Sequence, residues 1–292
     1  MQKMPRRDLR KVLKERPPAV AGSFYPKERE ELEEQLAIFL KSAKKLPFNG
    51  ELKILVVPHA GIFYSGQVAA WGFRQIDPKR IKRIVLLGAS HHYYFDSAAV
   101  YPGGVWATPL GTATVDKKQV NFLCSREDKI VAAEGPHLPE HNLEVELIFL
   151  QKILPSFTIV PILVSQPSEG LIDKLAKKIT QIIDGETILV VSTDLSHYPP
   201  YEIARSVDQE VINALISGKK DIFERKVAQI ENSHYPGLET ACCGLQAVKI
   251  GLRVGESLKL GWEKIFYQNS GDVSDEWRSV VGYAALAGIK KQ

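Results

Sequence analysis

Cysteine and methionine are scarce in this 292-residue chain, with three of the first and two of the second. The cysteines, Cys124, Cys242 and Cys243, are odd in number, and an adjacent pair is poorly placed for an ordinary structural disulfide, so a disulfide scaffold is not expected and reduced thiols are. Long apolar runs are missing too: nothing approaches the roughly 18 consecutive apolar residues of a membrane helix. The basic N-terminus is not followed by an apolar signal core, so a cytoplasmic protein with no membrane partner is expected. Charge of one sign is absent except at the start. Lys3, Arg6, Arg7, Arg10, Lys11, Lys14 and Arg16 face only Asp8 and Glu15, and the remainder is close to neutral against a total of +4. No aromatic-interleaved basic patch follows, so residues 1–16 read as a solvated basic tail or edge helix and no nucleic-acid partner is expected. Internal repeats, low-complexity tracts and Gly/Ser linkers are lacking as well, which leaves residues 17–292 as one domain.

What is present is an ordinary globular composition, 45% hydrophobic and 25% charged, sufficient for a large core. Arg16-Pro17-Pro18 through Pro26 reads as an extended segment, because paired prolines and Gly22 disfavour a helix. Leu32, Leu36, Phe39 and Leu40 then fall at i, i+4, i+7 and i+8, one apolar stripe of a helix. Short apolar strands at 52–57, 84–88, 157–164 and 187–192 alternate with helices at 66–76 and 169–183. That alternation predicts an α/β fold: a single three-layer domain with a central, mostly parallel or mixed sheet flanked by helices. Residues 98–115 look like shorter strands with turns, 201–255 are mainly helical, and two strand-like runs, 257–268 and 279–287, close the chain.

Polar clusters gather at the ends of those strands. Strand 52–57 runs into Pro58-His59-Ala60-Gly61, strand 84–88 into Ala89-Ser90-His91-His92, and strand 187–192 into Thr193-Asp194-Leu195-Ser196-His197. In open α/β sheets the carboxyl ends of strands are where ligand sites form. One histidine after a strand is usually a hydrogen-bonded structural residue. Three such clusters favour a metal or acid/base site, since imidazole is the commonest protein metal ligand and carboxylates commonly hold its other nitrogen. A fourth cluster, Glu239-Thr240-Ala241-Cys242-Cys243-Gly244, sits at the start of a helix. There the helix dipole favours a thiolate, and either cysteine is a candidate ligand; the alternative is two small residues packed like alanine. In the fifth, His141 and Glu144 lie three apart and can converge from one helix face, or else mark a solvated helix start.

These clusters, in this order, resemble the Memo family, called in prokaryotes the B component of AmmeMemoRadiSam systems. The resemblance is carried by Ala21-Gly22-Ser23-Phe24-Tyr25, the segment Pro58 to Gly66, Gly88-Ala89-Ser90-His91-His92, Glu140 to Glu144, Ser192 to His197 and Cys243-Gly244. It spans nearly the whole chain and implies a fold related to class III extradiol dioxygenases, which hold Fe(II) with two histidines and a carboxylate. Carried over, His59 and His91 match the histidine ligands, and Cys243 stands where those enzymes have their acidic ligand. His197 falls at their acid/base histidine, with Asp194 beside it, and Tyr64 and Tyr198 would border the pocket. The resemblance therefore implies iron, with copper or zinc as alternatives because a thiolate is a softer donor than a carboxylate. It implies a metal-dependent oxidoreductase acting on a small molecule, or a peptide- or protein-binding scaffold working with a radical-SAM partner; the donor set of two histidines and a cysteine would also serve a zinc hydrolase with Glu144 or His141 as base, a reading the resemblance does not favour.

Overall fold

Eleven strands form one mixed sheet among residues 14–291, which are those described by the computed structural model. Lys3, Arg6, Arg7, Arg10 and Lys11 of the predicted tail lie outside the described residues. In chain order the strands are β1 (Glu15–Arg16), β2 (Glu51–Val57), β3 (Arg83–Ala89), β4 (Ala98–Val100), β5 (Val105–Thr108), β6 (Gly111–Val115), β7 (Ile130–Ala132), β8 (Thr158–Val164), β9 (Thr187–Ser192), β10 (Gly261–Asn269) and β11 (Gly282–Lys290). The helices are α1 (Arg29–Ser42), α2 (Ile62–Phe73), α3 (Lys117–Leu123), α4 (Asn142–Ile153), α5 (Glu169–Ile182), α6 (Tyr201–Ile216), α7 (Lys220–Asn232), α8 (Leu245–Leu258) and α9 (Gly271–Ser274). No helix among the described residues is long and apolar enough to cross a membrane.

The order across the sheet is β1-β5-β6-β8-β3-β9-β2-β11-β10, with β4 and β7 attached beside β8. Its centre, β8-β3-β9-β2, is parallel. These are the continuous Val/Ile/Leu runs, buried on both faces, as a parallel sheet covered by helices requires. Antiparallel β11 and β10 extend it on one side. Two helical layers follow from the pleat. Gly72 of α2 abuts Val57 and Leu55, whereas Gly251 of α8 abuts Val191. Val57 pairs with Ser192, so Val191 belongs to the opposite face. The domain is thus the expected three-layer α/β arrangement around a mixed sheet.

Local differences from the sequence reading have local causes. Helix α2 begins at Ile62, directly after Gly61, because the Ile62 amide is taken by Phe24 O at 2.8 Å; this places Tyr64 on the helix. Ser257 and Leu258, expected in a strand, close α8, and left-handed Lys259 (φ 57°) turns the chain into β10. Residues 116–136, unassigned from sequence, contribute α3 and β7.

Arg16 is not part of a solvated tail. It is fully buried in β1, which pairs with β5, and its guanidinium lies 4.1 Å from the Trp106 ring centroid. Its donors go to His137 O at 2.8 Å, Glu140 O at 2.6 Å and the Glu144 carboxylate at 2.5 Å. A buried guanidinium needs a carboxylate and filled acceptors to offset its desolvation, and all are supplied here.

Candidate metal centre

Strands β3, β9 and β2 are adjacent and parallel, so their carboxyl ends open on one edge of the sheet. His59 follows β2, His91 follows β3, and Asp194 follows β9. The Ala241-Cys242-Cys243 turn, capped by Gly244 before α8, crosses the same edge. A Cβ on Gly244 would lie 2.7 Å from Thr193 Oγ1, and the Gly244 amide donates to that oxygen at 2.9 Å. Only glycine lets the turn approach this closely, and that approach carries Cys243 to His59. Gly88 does the same for α4: a Cβ there would lie 2.7 Å from Asn142 Nδ2.

Ligand atoms of His59, His91 and Cys243 lie within 4.8 Å of one another, with Cys243 Sγ 3.4 Å from His59 Nε2. His59 Nδ1 lies 2.8 Å from Ser192 Oγ, whose hydroxyl donates to Glu146 Oε1 at 2.6 Å. His91 Nδ1 lies 2.9 Å from Glu140 Oε1, and the His91 amide donates to Glu140 Oε2 at 2.7 Å. Each imidazole is thus held by one ring nitrogen while the other faces the cavity, the arrangement a metal-ligating histidine requires. Two further groups adjoin it: His91, Glu140 and His141, and Asp194, His197 and Cys243. The His141 ring centroid is 4.8 Å from that of His91 and 5.4 Å from that of His59.

Burial governs the protonation states. It pushes His59 well below the ordinary histidine range, helped by His91 and His141, and lowers His197 despite Asp194. Burial also raises Asp194. At His91 burial opposes the charge, but the Glu140 carboxylate outweighs it and the net shift is upward. Cys243 departs from expectation. It precedes the helix cap, and burial, with Asp194 and Cys242 nearby, pushes its thiol well above the ordinary value, so the helix dipole does not make it a thiolate. A bound cation would reverse that balance and displace the thiol proton.

The sequence-predicted residues separate cleanly. His59, His91, Cys243, His141, Asp194 and His197 converge, with His197 Nε2 4.0 Å from Asp194 Oδ2 and otherwise without a partner among the described residues. Tyr64, Tyr198 and His92 line the adjoining cavity of about 820 Å3, and His92 belongs to none of the three metal-type groups. Cys242 is buried against Thr193 Oγ1 at 3.3 Å, a packing position, with its thiol pushed up to about 12 by burial. Glu144 does not reach the site. It accepts from Arg16, Tyr25 Oη at 2.6 Å and the amides of Ala19 and Val20, because the buried guanidinium claims it. It is therefore removed as a candidate base.

Similarity to known proteins extends over nearly the full length. A family model described as Memo-like protein matches residues 16–287. The chain belongs to that family. A MEMO1 family protein of Thermoplasma acidophilum is 33% identical over 277 residues, covering 94% of this chain and 98% of the relative. One from Aquifex aeolicus is 32% identical, covering 93% and 98%. A solved structure of an uncharacterized Escherichia coli K12 protein aligns at 13% identity and a TM-score of 0.49, covering 81% of this chain and 99% of that one.

Four residues of this Memo-family site escape sequence reasoning in their roles: Glu140, Ser192, Glu146 and Tyr283. Glu140 and Ser192 flank residues already singled out, so adjacency was a usable signal. Glu146 sits on a helix whose residues 142–150 are all buried, and Tyr283 is the second residue of a buried strand, so neither position announces a polar role.

Proposed function

We propose that this Memo-family protein is a metal-dependent oxidoreductase whose His59, His91 and Cys243 hold a redox metal, iron first and copper second. The observation that carries this reading is the donor set itself: three ligand atoms within 4.8 Å, each histidine fixed through its other nitrogen, beside a cavity large enough for a small organic molecule. A metal held by His59, His91 and the Cys243 thiolate would supply electron transfer between a bound substrate and O2. His197, neutral through burial and directed at Asp194, is placed to accept a proton from a bound phenolic or enolic oxygen. His141, its Nδ1 3.1 Å from Glu140 Oε1 and its amide donating to the same oxygen at 3.0 Å, borders the same space and presents a polar wall to the substrate.

Anaerobic loading with Fe(II), elemental analysis and O2 uptake with a panel of catechols test the proposal. Stoichiometric metal lost in His59→Ala, and O2 uptake lost in His197→Ala with metal retained, are the expected results. Wild type that takes up no metal, or His59→Ala that takes up as much, would sink it.

Exposed aromatics favour a second reading, a peptide- or protein-binding role beside a radical-SAM partner. Phe63, Tyr93, Tyr94 and Trp277 are 58%, 48%, 85% and 61% exposed, and each lies within two residues of a cavity-lining position. Capture of the radical-SAM partner by wild type and equally by Cys243→Ser would separate this role from metal chemistry.

A further inference from the structure

Tyr283 is the second residue of β11, directly after the buried Gly282 that opens the strand. Continuing the β11–β2 register three residues beyond the Leu286–Val56 pair sets Tyr283 across from His59. Its backbone is fixed on the preceding residue, where the Leu195 amide donates to Gly282 O and the Gly282 amide to Ser196 O, both at 2.8 Å. The side chain is therefore presented from a rigid strand end. Only 2% of the residue is exposed, yet it lines the cavity; its hydroxyl makes no hydrogen bond among the described residues and, unlike that of Tyr101, is not sealed off as a buried unpartnered atom, so it is open to the cavity. Two other largely buried tyrosines differ: Tyr25 donates to Glu144 and Tyr267 to Asp208. Tyr101 also has an unpartnered hydroxyl but does not line the cavity. A phenol that opens on the cavity beside the metal-type group, and whose hydroxyl no other side chain engages among the described residues, is free to donate to a ligand.

The cavity's charges narrow that ligand. Among the described residues no lysine or arginine lines it, and its charged side chains besides the histidines are the carboxyls of Asp194 and Glu276. An anionic tail extending away from the metal-facing histidines would meet carboxyl groups and, among the described residues, no lysine or arginine.

We propose that Tyr283 contacts the ligand directly, its hydroxyl donating a hydrogen bond to a ligand oxygen seated at the His59–His91–Cys243 group. The cavity then selects oxygen ligands that carry no second anionic group. This rests on the metal-site reading above, since the ligand oxygen is placed at that group.

Zinc-loaded wild type, Tyr283→Phe and Tyr101→Phe provide the test, with metal content measured first and nitrocatechol absorbance reporting binding. Tyr283→Phe should bind nitrocatechol about tenfold more weakly at unchanged metal content and unfolding temperature, on the scale of one hydrogen bond to a charged oxygen. Tyr101→Phe should stay within twofold of wild type. In competition, protocatechuate should displace nitrocatechol several-fold less well than catechol. Affinity within twofold in Tyr283→Phe, an equal loss in Tyr101→Phe, or no nitrocatechol binding by fully loaded wild type would overturn the Tyr283 assignment. Protocatechuate competing as well as catechol would overturn the charge selection. Wild type without zinc would overturn the metal-site reading, and this proposal with it.

Discussion

Two buried polar clusters meet along residues 137–146 and differ in one respect, whether their hydrogen-bonding capacity is used up. In the Arg16–Glu144 cluster every guanidinium nitrogen has an acceptor, and both carboxylate oxygens receive donors from Arg16, Tyr25 and two backbone amides. Each nitrogen of the guanidinium and each oxygen of the carboxylate is engaged within the protein. A few residues away, His59, His91 and Cys243 each keep a donor atom directed at a common point, while their remaining capacity is spent on Ser192, Glu140 and the Asp194 amide, the last donating to Cys243 Sγ at 3.2 Å. A saturated cluster stabilises the fold; an unsaturated one, held rigidly by its other contacts, is what a binding site consists of.

The largest expected effect tests the saturated side. Glu144→Ala leaves Arg16 buried and unpaired and should cost about 3–5 kcal/mol in chemical denaturation, while the protein that remains folded still binds metal. Loss of metal at unchanged stability would invert the comparison. On the unsaturated side, bound metal should stabilise by about 4 kcal/mol at a thousandfold excess over its dissociation constant, and a chelator should remove this in thermal unfolding. His59→Ala should unfold at one temperature with or without chelator.

Asp208 is an intermediate case, a buried carboxyl held only by neutral donors: the Ser196 amide at 2.9 Å and Tyr267 Oη at 2.8 Å. Burial raises it to about 6. Because the folded value exceeds the unfolded one, its contribution is fully present below about pH 4 and is lost as pH rises toward 6. Asp208→Asn should lack this decline, gaining on wild type by up to ~3 kcal/mol between pH 4 and pH 8 in paired denaturation curves. A constant difference across that range would show that Asp208 does not titrate there.

Glu140→Gln tests whether the hold on His91 matters for the open side. Metal affinity measured by competition with a chelating dye should fall about 10- to 100-fold with little change in stability. The smallest effect belongs to His92→Ala, which should stay within about threefold of wild type in the same titration, since one deleted rim contact outside the ligand set is worth a fraction of a kcal/mol. A larger loss would move the ligand assignment from His91 to His92.

The sheet and its strand-end chemistry were legible because continuous apolar runs and the polar turns after them are local patterns. Strands 187–192 and 52–57 were read almost to the residue, and His59, His91, Asp194 and His197 follow from where those strands stop. Helix starts were read less well at α2, whose first amide is taken by a residue 38 positions earlier, Phe24. Glu144 was misplaced for a related reason. Its spacing from His141 permits convergence, but its partner Arg16 lies 128 residues away and belongs to a segment whose charge suggested solvent.

The sequence by itself determined the alternating α/β order, the residues at the carboxyl ends of three strands, and the Cys243-Gly244 pair, since each depends on neighbours along the chain. Only the tertiary structure decided which polar groups are saturated. It gave Glu144 to Arg16 and Cys242 to Thr193, and left the Tyr283 hydroxyl without a partner, because saturation depends on contacts between segments brought together by folding.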